Sequence, residues 1–340
     1  MQILPNSLST SRARSRLGSL VLGVALVASA LVPARLQAEP QVAAAFDPAS
    51  FWTTFHHGTV SVNGVRLHYV EGGSGAPLLL IPGWPESWYA WRRVMPALAA
   101  AGRHVLVIDP RGMGDSSHPS SGYDLKTVAA DVHGLVEALA LTKDGPIDVA
   151  GHDVGAWIGY AHAADWPGDV KRLALFDAAL PGVTPPAPAG IPTDAANVKS
   201  WHFAFNRLDD LPELLVQGRE REYLTWLFQN KASKTWAIGA ADLDEYVRVY
   251  RQPGAVRAGF AYYRAAFGSE GLAQSRARAQ HKLAMPVLAI GAEFGVGDNL
   301  VDVLRSAATN VSGGTARGCG HFVPEECPDV VIDGLKNFFK

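Results

Sequence analysis

The chain has 340 residues, of which 48% are hydrophobic and 18% charged, and its formal net charge at pH 7 is −2. Such a chain folds into a globular protein rather than staying disordered, and its length supplies one large core or two modest ones. Its 30 basic residues form no dense run, so the sequence predicts neither a nucleic-acid surface nor an anionic-membrane surface.

The first segment has the pattern of an export signal. Three arginines between residues 12 and 16 precede an apolar stretch of sixteen residues, 17–32. That stretch is short for a membrane span, and small residues suit cleavage after Ala30 or Ala38. We therefore expect residues 1–38 to be a signal peptide and the mature protein to be periplasmic or secreted, without contact to a membrane. An uncleaved membrane anchor is the alternative.

From Gly58 onward, strand-like and helix-like segments alternate. An Asn-Gly pair at 63–64 between two strand-like runs predicts a hairpin. Continuous apolar runs that end at glycine or proline suit strands buried on both faces of a parallel sheet. The βαβα order predicts an α/β fold with a mostly parallel, doubly wound sheet. The predicted segments are strands at 77–81, 104–108, 147–150, 170–176 and 286–290, and helices at 125–141 and 330–339.

Residues 182–283 interrupt this alternation. The interruption opens on a proline-rich stretch and continues as amphipathic helices rich in Trp, Tyr and Phe. Because open α/β sheets bind ligands at the carboxyl ends of their strands, we expect these helices to form a cap over that edge. The expected division is a first core part at 39–181, the helical cap at 182–283 and a second core part at 284–340.

The segment Gly151-His152-Asp153-Val154-Gly155 follows a short apolar run and precedes a helix-like stretch. Glycines two positions either side of Asp153 leave room where a Cβ would collide with the neighbouring strand and helix. A strand–turn–helix elbow of this kind carries the nucleophile of α/β-hydrolases. A carboxylate there displaces a leaving group from saturated carbon, so epoxides and carbon–halogen bonds are better substrates than esters. The resulting ester on Asp153 is then hydrolysed by water.

His321 is the candidate general base for that hydrolysis. It lies ahead of the closing helix, where α/β-hydrolases carry their histidine. The base needs a carboxylate that orients its ring, and Asp177, directly after the strand at 170–176, is the favoured candidate. The more usual position follows the next core strand, so Asp298 and Glu293 stay open as alternatives.

Backbone donors for the oxyanion are expected from the turn at 82–85, which has the sequence Pro-Gly-Trp-Pro. In this fold, the N–H of its third residue joins the N–H that follows the nucleophile. The sequence therefore assigns the oxyanion hole to Trp84 and Val154, through backbone rather than side chain.

Cys319 and Cys327 are the two cysteines of the chain, and they bracket His321. In an exported protein, two nearby cysteines predict one disulfide, with two buried thiols as the alternative. Two cysteines and one histidine leave no fourth zinc ligand at a usual spacing. The sequence predicts neither a metal nor a cofactor.

These motifs resemble those of α/β-hydrolases with an aspartate nucleophile, the epoxide hydrolases and dehalogenases, over roughly residues 55–340. The signal segment, Trp201-His202-Phe203, Tyr262-Tyr263-Arg264 and the glycine–histidine flanked by cysteines are similar to the secreted Cif-type epoxide hydrolases. The resemblance implies that His202 and Tyr263 donate hydrogen bonds to the epoxide oxygen, with Tyr262 as the alternative to Tyr263. It also implies a small apolar epoxide as substrate and a possible homodimer.

Two other functions stay open from the sequence. Haloalkane dehalogenation uses the same nucleophile, although Val154 removes a Trp N–H that commonly holds halide beside it, leaving Trp84 or Trp157 as other donors. Haloacids are disfavoured, because Val154 and Trp157 replace the arginines that hold the substrate carboxylate. A non-catalytic ligand-binding protein is the third possibility, but such proteins usually lose a member of the set Asp153, Asp177 and His321.

Overall fold

The computed structural model describes residues 46–186 and 190–340, so the predicted signal peptide lies outside the described residues. The described chain contains an eight-stranded sheet. Its strands are β1 (Phe55–Val62), β2 (Val65–Gly73), β3 (Ala76–Ile81), β4 (Arg103–Asp109), β5 (Ile147–His152), β6 (Val170–Phe176), β7 (Val287–Ala292) and β8 (Val311–Ala316).

The strand order in the sheet is β1-β2-β4-β3-β5-β6-β7-β8. β2 pairs antiparallel with β1 and β4, and every later pairing is parallel. The predicted mostly parallel sheet is therefore confirmed. The hairpin prediction is also confirmed, since Asn63 and Gly64 connect β1 to β2 with φ angles of 48° and 77°, as a tight type I′ turn requires.

Helices follow most strands, and six of them, α5 to α10, fall between β6 and β7 in the segment where the sequence predicts a cap. Within the described ranges, no helix is both long and apolar enough to cross a membrane. A short 3₁₀ helix covers Trp88–Trp91. The α-helices are α1 (Pro48–Phe51), α2 (Met95–Ala100), α3 (Leu125–Ala138), α4 (Val154–Asp165), α5 (Asp194–Phe205), α6 (Leu211–Val216), α7 (Glu220–Lys231), α8 (Ala240–Tyr250), α9 (Ala255–Ala266), α10 (Ser269–Ala279), α11 (Asn299–Ala307), α12 (Val323–Glu326) and α13 (Pro328–Phe338).

The continuous apolar run in β3 serves two separate hydrophobic layers. Leu79 and Ile81 pack in the layer that includes α3, α4 and α11, whereas Leu78 and Leu80 pack in the layer of α2 and α13. Successive side chains of a strand point to opposite faces, so a strand covered on both faces needs apolar residues throughout. Each of these side chains is almost fully buried, which is worth roughly 1.5–3 kcal/mol per residue. Because both faces of β3 are apolar, helices must cover both faces of the sheet, which is the doubly wound arrangement.

The strand β8 was missed by the sequence analysis. Its segment, Val-Ser-Gly-Gly-Thr-Ala, has little of the β-branched and aromatic character that signals a strand. Its glycines permit a very close approach to β7, since a Cβ on Gly313 would lie 1.8 Å from the carbonyl oxygen of Ala289. Because glycines occupy the positions of close approach, β8 has no hydrophobic pattern that sequence analysis could detect.

Gly155 allows the first turn of α4 to lie directly against β3. A Cβ on Gly155 would lie 2.2 Å from the carbonyl oxygen of Ile81 and 2.5 Å from that of Pro82. These are backbone atoms of the central sheet, so they have little freedom to move. We expect Gly155→Ala to lower the free energy of unfolding by about 3 kcal/mol, measured by urea denaturation.

Gly168→Ala is the matched control, because a Cβ there meets no atom within 4 Å. It should change the free energy of unfolding by at most about 0.5 kcal/mol. Equal effects of the two substitutions would show that the contact between α4 and β3 does not constrain the turn.

Candidate active site

Asp153 lies at the tip of the sharp turn between β5 and α4. Its backbone has φ 50° and ψ −118°, a conformation that non-glycine residues rarely adopt and that occurs at functional sites. Gly151 and Gly83 make the space: a Cβ on Gly151 would lie 2.2 Å from the Gly155 carbonyl oxygen, and one on Gly83 would lie 2.7 Å from Cβ of Asp153. The carboxylate also lies at the N-terminus of α4, where the helix dipole favours negative charge.

The structure brings Asp153, His321 and Asp177 together as a buried chain of contacts. The N–H of Trp84 donates to Oδ1 of Asp153 at 3.0 Å. Oδ2 of Asp153 lies 3.4 Å from Nε2 of His321. On its other side, the His321 ring bonds through Nδ1 to Oδ2 of Asp177 at 2.7 Å. A ring held in this way can transfer a proton at Nε2 while its orientation stays fixed.

Asp177 is fixed by the loop that follows β7. Its Oδ1 accepts hydrogen bonds from the N–H groups of Ala292 at 2.7 Å and Val296 at 2.9 Å. Gly295 makes room for the carboxylate, since a Cβ there would lie 2.3 Å from either of its oxygens. This loop therefore supplies hydrogen bonds to the carboxylate that orients His321, and Asp177 itself comes from the end of β6.

The two alternative carboxylates have other partners. Oδ1 of Asp298 accepts from the hydroxyl of Thr315 at 2.5 Å. Glu293 accepts from the N–H of Gly318 at 2.7 Å. Among the described residues, Asp177 is thus the carboxylate of these three that bonds to His321.

The pKa values of Asp153 and His321 are shifted by burial and by the charges of their neighbours. Burial alone would raise the pKa of Asp153, but its contact with His321 and the attraction to that ring, together with Lys231, hold that pKa well below its usual range. Burial and the Lys231 ammonium lower the pKa of His321, and the contact with Asp153 together with the hydrogen bond to Asp177 outweighs them and raises it to about 9. In the free protein at neutral pH, the site therefore holds an imidazolium between two carboxylates.

Of the two predicted oxyanion donors, Trp84 contacts the Asp153 carboxylate through its N–H, as described above. Val154 is the first residue of α4 and directly follows Asp153. In the described part of the chain, the N–H of Val154 makes no hydrogen bond to that carboxylate. The role of both groups toward an oxyanion stays a prediction.

His202 on α5 and Tyr263 on α9 are buried beside the elbow. The ring of Trp84 stacks on that of His202 at 6.2 Å and lies 5.2 Å from that of Tyr263. Nδ1 of His202 and the hydroxyl of Tyr263 have no hydrogen-bond partner within the described ranges. In contrast, the hydroxyl of Tyr262 donates to the carbonyl oxygen of Arg111 at 2.8 Å. Tyr263 is therefore the one of the two tyrosines with a free donor.

Lys231, the last residue of α7, is a site residue that the sequence analysis missed. Its Nζ lies 3.3 Å from Nε2 of His202, and its carbonyl oxygen accepts from the N–H of His321 at 3.3 Å. Burial lowers the pKa of Lys231, and the charges of Asp153 and Asp177 oppose that shift. A lysine that ends an amphipathic helix is an ordinary solvent-facing residue by pattern, so no sequence signal singles it out.

A cavity of about 190 Å³ opens on Asp153, Asp177, His321 and Lys231, whereas His202 and Tyr263 are not among the described residues that line it. Polar groups of Asp153, His321 and Lys231 share its wall with the aromatic rings of Phe203 and Phe294. A few convergent polar groups in a largely apolar wall are typical of a small-molecule site.

The loop that carries His321 is fastened at both ends. Cys319 and Cys327 form a disulfide, as the sequence predicts. Within the loop, the Glu326 carboxylate accepts from the N–H groups of Gly320 at 2.9 Å and Phe322 at 3.0 Å. The two residues that flank His321 are thus bonded to one side chain.

Over residues 46–186 and 190–340, two groups of side chains have ligand atoms close enough to share a cation, and none of their members lines that cavity. In one of them, His133 and His162 bond to the same carboxylate oxygen of Asp169 at 2.8 Å and 2.9 Å. These two hydrogen bonds to Asp169 account for the closeness of the three side chains without a cation. The second group is His68, Asp109 and Asp115.

Comparison with known proteins identifies the family of the chain. Residues 76–326 match the family model for the alpha/beta hydrolase fold, so the chain belongs to the α/β-hydrolase family. It is 38% identical over 291 residues to a soluble epoxide hydrolase from Corynebacterium sp. (strain C12), which covers 84% of this chain and 98% of that protein.

Solved structures give the same likeness. Cfl2 from Burkholderia cenocepacia is 46% identical, with a TM-score of 0.79 over 84% of this chain and 96% of that one. The epoxide hydrolase CorEH is 36% identical, with a TM-score of 0.76 over 84% of this chain and 98% of its own. The predicted likeness to epoxide hydrolases is confirmed.

We expect His321 to titrate near pH 9 in the free protein, measured from its ring signals by NMR. Since this pKa is above the ordinary value of 6.5, its contribution to folding stability is complete below about pH 6.5 and is lost as the pH rises through about 9. Asp177→Asn should lower the midpoint, because one of the two stabilising carboxylates is removed. Asp298→Asn is the matched control and should leave it unchanged; the opposite result would make Asp298 the partner of His321.

Proposed function

We propose that this protein opens epoxides to vicinal diols through a covalent ester on Asp153, which water activated by His321 then hydrolyses. The observation that carries the proposal is a carboxylate at the elbow with one oxygen bonded to a backbone N–H and the other facing an imidazole. Its relatives named epoxide hydrolases support the same reaction.

In the first step, an oxygen of the Asp153 carboxylate attacks an epoxide carbon and the carbon–oxygen bond of the ring breaks. The ring oxygen leaves as an alkoxide, a poor leaving group unless a donor supplies a hydrogen bond or a proton. Tyr263 and His202 are the proposed donors, since both carry an unpartnered polar atom beside Asp153. The product of this step is a hydroxyalkyl ester of Asp153.

In the second step, His321 takes a proton from water and the hydroxide adds to the Asp153 carbonyl carbon. The N–H groups of Trp84 and Val154 are the proposed donors to the resulting oxyanion. Collapse of the intermediate breaks the bond to the alcohol, which receives a proton from His321, and the diol leaves. The second proton of the water leaves the Asp153 carboxyl group and restores the donor that protonated the ring oxygen. The Asp153 carboxylate is thereby regenerated with one oxygen from water.

Esterification prepares His321 for this second step. The charge of Asp153 is one cause of the raised pKa of His321, and an ester carries no charge. Burial and the Lys231 ammonium, which lower that pKa, then have less opposition. The His321 imidazolium therefore loses its proton more readily at the stage where hydrolysis needs a free base.

Haloalkane dehalogenation is the less favoured chemistry. The indole N–H of Trp157 donates to the carbonyl oxygen of Ala179 at 2.8 Å, so it is committed elsewhere. The indole nitrogen of Trp84 faces α9, since a Cβ on Gly259 would lie 2.4 Å from it. The Trp157 indole is therefore not available as a halide donor, and the Trp84 indole, which has no hydrogen-bond partner among the described residues, is directed at α9. A non-catalytic binding protein would have no need of the connected set Asp153, His321 and Asp177.

We also propose that the protein is exported, with residues 1–38 as its signal peptide. The disulfide between Cys319 and Cys327 supports this, because such bonds persist in oxidising compartments. A small apolar epoxide is the proposed substrate, given the aromatic part of the cavity wall. A homodimer stays a prediction from the resemblance alone.

Single turnover in heavy-oxygen water, with enzyme in excess over styrene oxide, tests the ester mechanism. We expect the label in the peptide that contains Asp153, and unlabelled oxygen in the diol, because the alcohol oxygens come from the carboxylate and the epoxide. Asp153→Asn should abolish turnover. Diol that carries the label while Asp153 stays unlabelled would refute the ester, and 1-bromohexane turned over faster than the epoxide would favour dehalogenation.

His321→Gln should trap the ester, because alkylation of Asp153 needs no base and hydrolysis does. Intact-mass spectra should show the protein heavier by the mass of the whole epoxide. The double variant Asp153→Asn with His321→Gln is the control and should show no adduct. An unmodified single variant after long incubation with the epoxide would contradict the role given to His321.

A further inference from the structure

Lys231 has an environment that the proposed reaction leaves unexplained. It is partly buried, it lines the cavity, and its Nζ lies 3.3 Å from Nε2 of His202. Exposed lysines usually extend into water, where three donors find partners without cost. Here the ammonium is directed instead at an imidazole that is itself 1% exposed.

The contact decides which ring nitrogen of His202 carries hydrogen. An amine is ordinarily a stronger base than an imidazole by about 4 pH units, so the shared proton stays on Lys231. The surrounding carboxylates of Asp153, Asp177 and Glu86 favour the ammonium, and burial together with Lys231 lowers the pKa of His202 well below its usual range. His202 is therefore neutral, and its Nε2 is the acceptor. A neutral imidazole has one N–H, which must then be at Nδ1.

We propose that Lys231 is a positioning residue that holds His202 as the tautomer protonated at Nδ1. Nδ1 of His202 has no partner among the described residues, like the hydroxyl of Tyr263, so a hydrogen placed there is free to bond to a ligand. The two rings lie 5.8 Å apart at 81°, in an edge-on arrangement. Both therefore offer a donor, and neither donor is used by another of the described residues.

The effect of this tautomer on ring opening rests on the proposed function. An alkoxide needs donors, and an imidazole of the other tautomer would present a lone pair at Nδ1, which repels a developing negative charge. Lys231 would thus convert His202 from an acceptor into a donor without touching the epoxide oxygen itself. The lysine acts through the histidine.

The tautomer is measurable in the free protein by NMR of ring-labelled histidine, with His202→Gln identifying the signals of His202. We expect a protonated Nδ1 and an unprotonated Nε2 in the parent protein. Lys231→Met removes the donor and keeps the length of the side chain, so Nε2 should become protonated in a large fraction of molecules. Lys231→Arg should restore the parent pattern. Lys126→Met, at an exposed site on α3, controls for the loss of one positive charge.

Single-turnover alkylation of Asp153 supplies the second readout. Lys231→Met should slow ester formation by about 10-fold to 100-fold, part of what a positioned proton donor contributes, and Lys231→Arg should recover most of the rate. A His202 protonated at Nε2 in the parent protein, or a tautomer unchanged in a folded Lys231→Met variant, would overturn the assignment. A protonated Nδ1 with no turnover of any epoxide would count against the proposed function and would still support the role of Lys231.

Discussion

A carboxylate kept ionised inside the protein is the constraint on which the rest of the structure depends. Removing such a charge from water costs on the order of several kcal/mol unless other groups compensate. Asp153 receives this compensation from the Trp84 N–H, from the N-terminus of α4 and from the imidazolium of His321. The Trp84 N–H and the start of α4 both require close approach of backbone segments, which is why glycines stand at 83 and 151.

The same constraint extends to the loop behind His321. Two consecutive glutamates at the end of α12 hold this loop through different partners. Glu326 bonds to the backbone around His321 and to the N–H of Ser233, just past α7, at 2.8 Å. Glu325 pairs with the buried Arg92, which also bonds to Asp242 of α8 at 2.6 Å. One short helix thereby links the loop of His321 to α8 and to the segment just past α7.

The sequence predicted the parts of this arrangement that local chemistry determines. The hairpin turn, the apolar strands and the glycine-flanked Asp153 each need particular residues at short spacing, so a single sequence reveals them. The pairing of His321 with Asp177 instead of Asp298 could not be decided, because it depends on the path of the loop after β7. β8 has no hydrophobic pattern, and Lys231 comes from a helix whose docking no local pattern encodes.

The helices between β6 and β7 contribute charge to the site as well as covering it. Lys231 reaches the site only because α7 ends beside the loop of His321, where its carbonyl oxygen accepts the His321 N–H. The ammonium lowers the pKa of His321 and bonds to His202, so one side chain affects both the proposed base and the proposed donor. Any displacement of α7 would therefore change the proton affinity of His321 and the hydrogen bonding of His202 together. Because the single side chain of Lys231 has both effects, the helices between β6 and β7 and the residues of the sheet determine the charge of the site together.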